Sequence, residues 1–220
     1  MSKQHAPVQK LLVEGQNDRH VIWALCQYFS VPQTFAVEEP NGPTKGIQPL
    51  LASIPVRLKT ANLTTLGMVV DADDKLDQRW QAIRDSFLRL GYDDFPLSPQ
   101  AGGLILTPTD KPRIGVWVMP DNRLSGNLED FVGFLIDTND PLKSHAAESI
   151  DTIEREGWQH YRPAHRSKAL VHTWLAWQDP PGMPLGQAIT AKALDPESLF
   201  AKRFVDWIQR LFTLSDIRLA

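Results

Sequence analysis

Apolar residues recur along this chain in two rhythms, one that suits strands and one that suits helices. Positions 8–13 (VQKLLV) form a short, mostly apolar run that stops at Glu14-Gly15, which predicts a strand ending on a carboxylate. After a polar break in which Asn17 or Asp18 is the candidate cap, Ile22, Leu25, Cys26 and Phe29 recur at helical spacing. Positions 34–37 predict a second strand, closed by the loop signal Glu38-Glu39-Pro40-Asn41-Gly42-Pro43. Positions 46–58 predict an apolar helix whose ends are blurred by Pro49 and Pro55.

The clearest stretch follows. Positions 66–70 are apolar, with β-branched Val69 and Val70, and run into Asp71-Ala72-Asp73-Asp74. Leu76, Trp80, Ile83, Phe87 and Leu90 then alternate four- and three-residue steps up to Gly91, so the unit reads strand, acidic loop, amphipathic helix. Strands that alternate with helices predict an α/β fold with a mostly parallel sheet, and ligands outside the carboxyl ends of the strands. Positions 103–107 and 114–119 predict two more strands in a hairpin around Pro108-Thr109-Asp110-Lys111-Pro112.

Pro120-Asp121-Asn122 ends the second of these, and a helix over 128–136 follows Gly126. Beyond it the pattern is helical, over 144–156, 167–177 and 196–214, the last starting at Asp195-Pro196 with Leu199, Phe200, Phe204, Trp207, Ile208 and Leu211 on one face. Positions 177–186 (WQDPPGMPLG) predict a connecting loop. The expected layout is an α/β core over 1–140 and a helical elaboration over 141–220 packed on it, a single domain overall.

Composition narrows the function. The chain has 220 residues, 42% of them hydrophobic and 22% charged, as expected of a globular protein. No uncharged apolar run is long enough to span a bilayer, and the first residues lack the apolar centre of a secretory signal. A single cysteine, Cys26, excludes an internal disulfide framework and fits a cytoplasmic location. The net charge of −3 argues against a broad basic surface for nucleic acid. A polyphosphate partner would therefore need divalent cations to supply local positive charge.

The candidate chemistry lies where two strands end in carboxylates, Glu14 after LLV and Asp71 and Asp73 after GMVV. In extended chain, residues two apart share a side, so Asp71 and Asp73 are expected to converge on one ion. Neighbouring parallel strands would bring Glu14 to the same edge. Hard oxygen donors suit Mg²⁺ or Mn²⁺, and such an ion stabilises charge on a phosphoryl oxygen. Gly15 is expected to allow a tight turn and leave room for a phosphate.

LLVEG before a helix, then MVVDADD after one intervening unit, resembles the Toprim fold of topoisomerases, bacterial primases, small RNA-maturation nucleases and the overcoming-lysogenization-defect nucleases. With GVWVMPDNRLSGNLEDF and KALVHTWLAWQDPPGMPLGQAI, the chain resembles an uncharacterised bacterial family of small stand-alone Toprim-like proteins, over positions 11–212. The resemblance implies a Toprim-like (Rossmann-like) sheet and Mg²⁺-dependent phosphodiester chemistry, above all nuclease activity on DNA or RNA. It implies Glu14 as metal ligand or general acid/base, Asp71 and Asp73 as metal ligands, and Asp121 with Glu129 and Asp130 at a second metal position. Lys168 matches a lysine that approaches the scissile phosphate.

Departures from that group matter as well. No tyrosine has a topoisomerase nucleophile context, one cysteine excludes primase-type zinc binding, and no G-x-x-x-x-G-K-[ST] is present. The expectation is a protein that works alone or with a separately encoded ATPase or other partner.

Other residues have plainer readings. Asp74 and Asp77 suit capping of the following helix. His20, Lys111, Arg113 and Arg123 are phosphate-binding candidates whose default is a solvated surface, His145, His160, His165 and His172 lack metal-ligand spacing, and the tryptophans suit packing more than base stacking. Two further function classes stay open. One is a non-catalytic module that binds metal with a nucleotide, nucleic acid or partner protein. The other is a haloacid-dehalogenase-like phosphatase with Asp71 as covalent nucleophile.

Overall fold

The computed structural model describes residues 8–40 and 46–213. Among them the apolar runs become β1 (Val8–Leu12), β2 (Ala36–Glu38), β3 (Leu63–Asp71), β4 (Leu104–Leu106) and β5 (Arg113–Met119). The helical patterns become α1 (Gln16–Tyr28), α2 (Ile47–Arg57), α3 (Leu76–Leu88), α4 (Leu128–Gly133), α5 (Pro141–Arg155), α6 (Arg166–Ala176), α7 (Leu185–Thr190) and α8 (Leu199–Phe212). The strands form one sheet in the order β2-β1-β3-β5-β4, parallel except for the edge strand β4, which runs antiparallel to β5. This is the mixed α/β, mostly parallel architecture that the alternation predicts, with the hairpin at one edge.

Both faces of the sheet are covered, which is why β3 and β5 read as nearly unbroken apolar runs. Leu11, Val13, Val69, Trp117 and Met119 face one core, shared with α1, α4, α6, α7 and α8. Leu12, Leu66, Met68, Val70, Ile114, Val116 and Val118 face the other, filled by Leu50 and Ile54 of α2 and Trp80, Ile83 and Phe87 of α3. The period of two along each strand thus sorts side chains between two layers of helices.

The helical C-terminal part is seated on the sheet by a pair of glycines. Gly67 of β3 and Gly115 of β5 are register partners, and together they leave a trough on the sheet face. Leu211 of α8 fills it so closely that a Cβ at Gly115 would stand 2.5 Å from Leu211 Cδ2, and one at Gly67 2.8 Å from the same methyl. Nearby, Trp207 Nε1 donates to the Leu104 carbonyl at 3.1 Å, tying α8 to the edge strand.

Several predicted boundaries move, each for a local reason. The cap of α1 is Gly15; Asp18 sits three residues on and returns its carboxylate to the Gly15 N–H. Lys75, not Asp74, caps α3, with Asp77 in the first turn. The predicted helix at 128–136 ends as α4 at Gly133, where the Phe134 and Leu135 amides tighten onto Phe131 and Val132. The last helix starts at Leu199, because Asp195 spends its carboxylate on the Glu197 amide and Ser198 caps through the Ala201 amide. The predicted 177–186 loop overlaps the start of α7, an unforeseen helix whose Gly186 lies against the His20 carbonyl of α1. The Asn41-Gly42-Pro43 part of the predicted loop and position 214 lie outside the described residues.

Among the described residues no helix is long and apolar enough to cross a membrane. Cys26 is buried on α1, and burial pushes its thiol up to about 12, the behaviour of a packing residue.

Candidate functional site

The carboxyl ends of β1, β3 and β5 share one edge of the sheet. Leu12 is level with Met68, so two residues later Glu14 stands beside the end of β3. There Glu14 Oε1 accepts the Asp71 amide proton at 2.9 Å, which fixes one carboxylate to the backbone that carries the next. The start of α2 passes close by, with the Cβ position of Gly46 only 3.5 Å from Glu14 Oε2.

Asp18 completes this group from the first turn of α1. It is 6% exposed, and its Oδ2 accepts the Gly15 N–H at 3.1 Å. The other oxygen, Oδ1, is buried with no hydrogen-bond partner, and so is Asp71 Oδ1, although Asp71 as a residue remains partly exposed. A carboxylate only accepts hydrogen bonds, so such an oxygen calls for a proton or a cation.

The electrostatics agree. Burial, then the nearby charges of Asp18, Glu14, Asp73 and Glu129, hold the Asp71 carboxyl well above the usual range. Burial and the Glu14 charge raise Asp18 to about 7. Glu14 is raised by burial too, against the Asp71 amide and the Arg79 guanidinium, which pull it down. Like charges gathered in a low-dielectric edge keep one another protonated unless a cation arrives.

Asp73 does not reach the group as extended chain would place it. Its φ of 52° is left-handed, which ends the two-residue alternation after Asp71. Reciprocal backbone hydrogen bonds with Gly126, 2.8 and 2.7 Å long, pin this turn to the loop before α4. Its carboxylate is ion-paired to Arg79 of α3 and mostly exposed.

Glu129 is delivered from the other side. Asn127 caps α4, its Oδ1 accepting the Glu129 and Asp130 amides at 3.0 and 3.2 Å, while Asp130 Oδ2 accepts the Asn127 N–H at 2.9 Å. This reciprocal cap fixes the first turn of α4 and makes Asp130 a capping residue. The Glu129 side chain is 12% exposed, with Lys168 Nζ of α6 at 3.6 Å from its Oε1. Lys168 thus reaches the site through Glu129.

Asp121 is spent elsewhere: its Oδ1 accepts the Arg123 and Leu124 amides in an Asx turn. Gly15 has φ −157°, an extended conformation open to any residue, so a tight turn is not its reason; its N–H holds Asp18.

The sequence-predicted residues Glu14, Asp71, Glu129 and Lys168 are therefore gathered at one rim, with Asp73 beside it on Arg79. Sequence reasoning took Asp18 as a cap and passed over Arg79. The available signals were the carboxylate three residues after a glycine cap, and an arginine on the polar face of α3 six positions beyond Asp73. A cavity of about 600 Å³ opens from the rim between α4 and α6, with Asp73 and Glu129 on the acidic wall and Phe134, Leu170 and Val171 on the apolar one.

A family model described as "Protein of unknown function (DUF3226)" matches residues 8–213. The chain belongs to that family. The matched span carries every site residue named above, from Glu14 to Lys168. No curated protein and no solved structure matches the chain.

The donor chemistry of this DUF3226 chain fits a hard divalent ion: all-oxygen ligands, two of them buried and unpartnered. Their spacing is not a closed ligand set, since among the described residues no three His, Cys, Asp or Glu side chains stand in metal-holding arrangement. The turn of Asp73 toward Arg79 is one physical reason.

Proposed function

We propose that this protein recruits Mg²⁺ or Mn²⁺ to the rim formed by Glu14, Asp18 and Asp71, whose carboxylates must shift to close a ligand set around it, with Asp73 and Glu129 at the margin, and hydrolyses phosphodiester bonds in DNA or RNA. The observation that carries the reading is the pair of sealed, unpartnered oxygens on Asp18 and Asp71, beside Glu14 at the carboxyl edge of the sheet. Evolution of a soluble fold rarely leaves such acceptors without a partner. The resemblance to Toprim proteins points the same way, and the parallel pairing of β1 with β3 supports it by putting both carboxylate-bearing strand ends side by side.

When bound, the ion would supply Lewis-acid stabilisation of the phosphoryl oxygens and acidify a water. The chain's own groups have defined tasks. Glu14 Oε1 is fixed on the Asp71 amide, which leaves Oε2 either to hold the ion or to take a proton from the attacking water. Lys168, half-exposed beside Glu129, offers an ammonium to the phosphate.

A second reading has one observation in its favour. The lack of a closed ligand set among the described residues suits a module that binds a cation and a nucleotide, nucleic acid or partner without turnover. Purified protein incubated with supercoiled plasmid, single-stranded DNA and RNA in Mg²⁺ or Mn²⁺ separates the two. The nuclease reading expects cleavage that Asp71→Asn abolishes. Calorimetric cation binding with no cleavage of any substrate would select the second reading instead.

A further inference from the structure

The rim has a second hollow, on the side away from α4 and α6. There α2 and α3 border an open hollow of about 330 Å³ whose lining includes Gln48, Lys75, Gln78 and Arg79. Four side chains with N–H donors face one space, two of them cationic, in a chain whose net charge is −3. Arg79 is the inner one. Its side chain is 12% exposed, its guanidinium is paired to Asp73, and its Nε is buried without an acceptor. Lys75 stands exposed at the mouth.

The cavity also has acidic lining, and each acid has its own account. Asp73 and Arg79 neutralise each other, and the exposed charges of Asp74 and Lys75 are both screened by water and salt, so the lining carries no net charge. What remains is a donor-rich space. A guanidinium, an ammonium and two amides complement a group that only accepts hydrogen bonds. Phosphate oxygens are such a group, and arginine binds them by its planar fork.

We propose that this cavity is a phosphate subsite, taking a phosphate oxyanion of a nucleotide or nucleic-acid strand, with Arg79 as its innermost contact. It rests on the phosphodiester reading above, which puts the reacting phosphate at the carboxylate rim; the subsite holds the neighbouring phosphate. Asp73 belongs to both places. A divalent ion that draws on Asp73 weakens its hold on Arg79 and leaves that guanidinium to the phosphate. Cation and phosphate binding are then linked, each tightening the other.

The test is calorimetric titration of the full chain with inorganic phosphate, with and without Mg²⁺, in wild type, Arg79→Gln, Arg79→Lys, Lys75→Gln and Asp71→Asn. Arg79→Gln should weaken phosphate binding about tenfold, the scale of one charge-assisted contact. Lys75→Gln should weaken it by about threefold, and Arg79→Lys, which keeps the charge on Asp73, should fall between wild type and Arg79→Gln. Wild type should bind phosphate more tightly with Mg²⁺ than without.

If the Arg79 and Lys75 variants bind phosphate as wild type does while Asp71→Asn abolishes binding, the cation alone holds the phosphate. The subsite is then overturned and the functional reading survives. Binding that Arg79→Gln removes and that Mg²⁺ tightens in neither wild type nor Asp71→Asn keeps the subsite and sinks the cation reading. No phosphate binding by wild type overturns the subsite outright. Repeating the titration with a nucleoside 5′-monophosphate and with a short single-stranded oligonucleotide identifies the source, as the ligand that loses more on Arg79→Gln.

Discussion

Asp18→Asn should stabilise the cation-free protein at alkaline pH and do little at acid pH. In the folded chain the Asp18 carboxyl is raised from 3.8 to about 7, mainly by burial and then by Glu14. Folding therefore takes up a proton between those values, and stability falls as pH rises through the window from about 4 to 7. Above it the native state carries a buried charge that the unfolded chain holds at no cost. Three pH units correspond to roughly 4 kcal/mol, and relaxation of the neighbouring carboxyls brings the expected gain of Asn to about 2–4 kcal/mol at pH 8. Asn keeps an oxygen for the Gly15 N–H, so the local turn of α1 is preserved. Urea unfolding in a chelator at pH 5 and pH 8 measures the difference. A ΔΔG that is the same at both pH values, or a variant less stable than wild type at pH 8, would refute the reasoning. Mg²⁺ should restore stability to wild type at pH 8 and help the variant less, because a ligand that binds only the folded chain stabilises it.

Two other substitutions probe the frame around the site. Gly115→Ala should cost about 1–3 kcal/mol in urea unfolding, since the new Cβ meets Leu211 Cδ2 at 2.5 Å, and Leu211→Ala in the same chain should cost less than the sum of the two single changes. Glu129→Gln should weaken Mg²⁺ binding by calorimetry, whereas Asp121→Asn, altering a carboxylate already committed to the Arg123 and Leu124 amides, should leave it within about twofold.

The sheet was legible because burial on both faces writes itself into β3 and β5 as apolar runs, and the helices because a single buried face repeats at 3.6 residues. What escaped was long-range fit. Nothing near Gly67 or Gly115 in sequence announces that both make room for Leu211, about a hundred positions away from the second. The short helix α7 escaped because it has only six residues, too few for a periodic signal, and because Leu185, Ala188 and Ile189 find their partners in a core built from distant segments, where Gly186 lies against the His20 carbonyl. Ends of helices moved where a side chain had two local uses: Asp195 opens a turn and leaves the capping to Ser198.

The same division runs through the site. Glu14 and Asp71 could be read from strand ends because register alone carries them to one edge. Asp18 could not be told from a capping residue, since it does cap, through Oδ2, and its second oxygen acquires meaning only when the fold buries it without a partner. Asp73 was misplaced because an acidic tripeptide says nothing about a left-handed turn, which is set by the bridge to Gly126 more than fifty residues later. These misses share a cause and a cost. Raised Glu14, Asp18 and Asp71 side by side, with the charges of Asp73 and Glu129 close at hand, oppose folding at neutral pH, and the nearest cation, Arg79, is committed to Asp73. A fold supported elsewhere by two full cores tolerates this repulsion, and the cation proposed above would offset it at that edge.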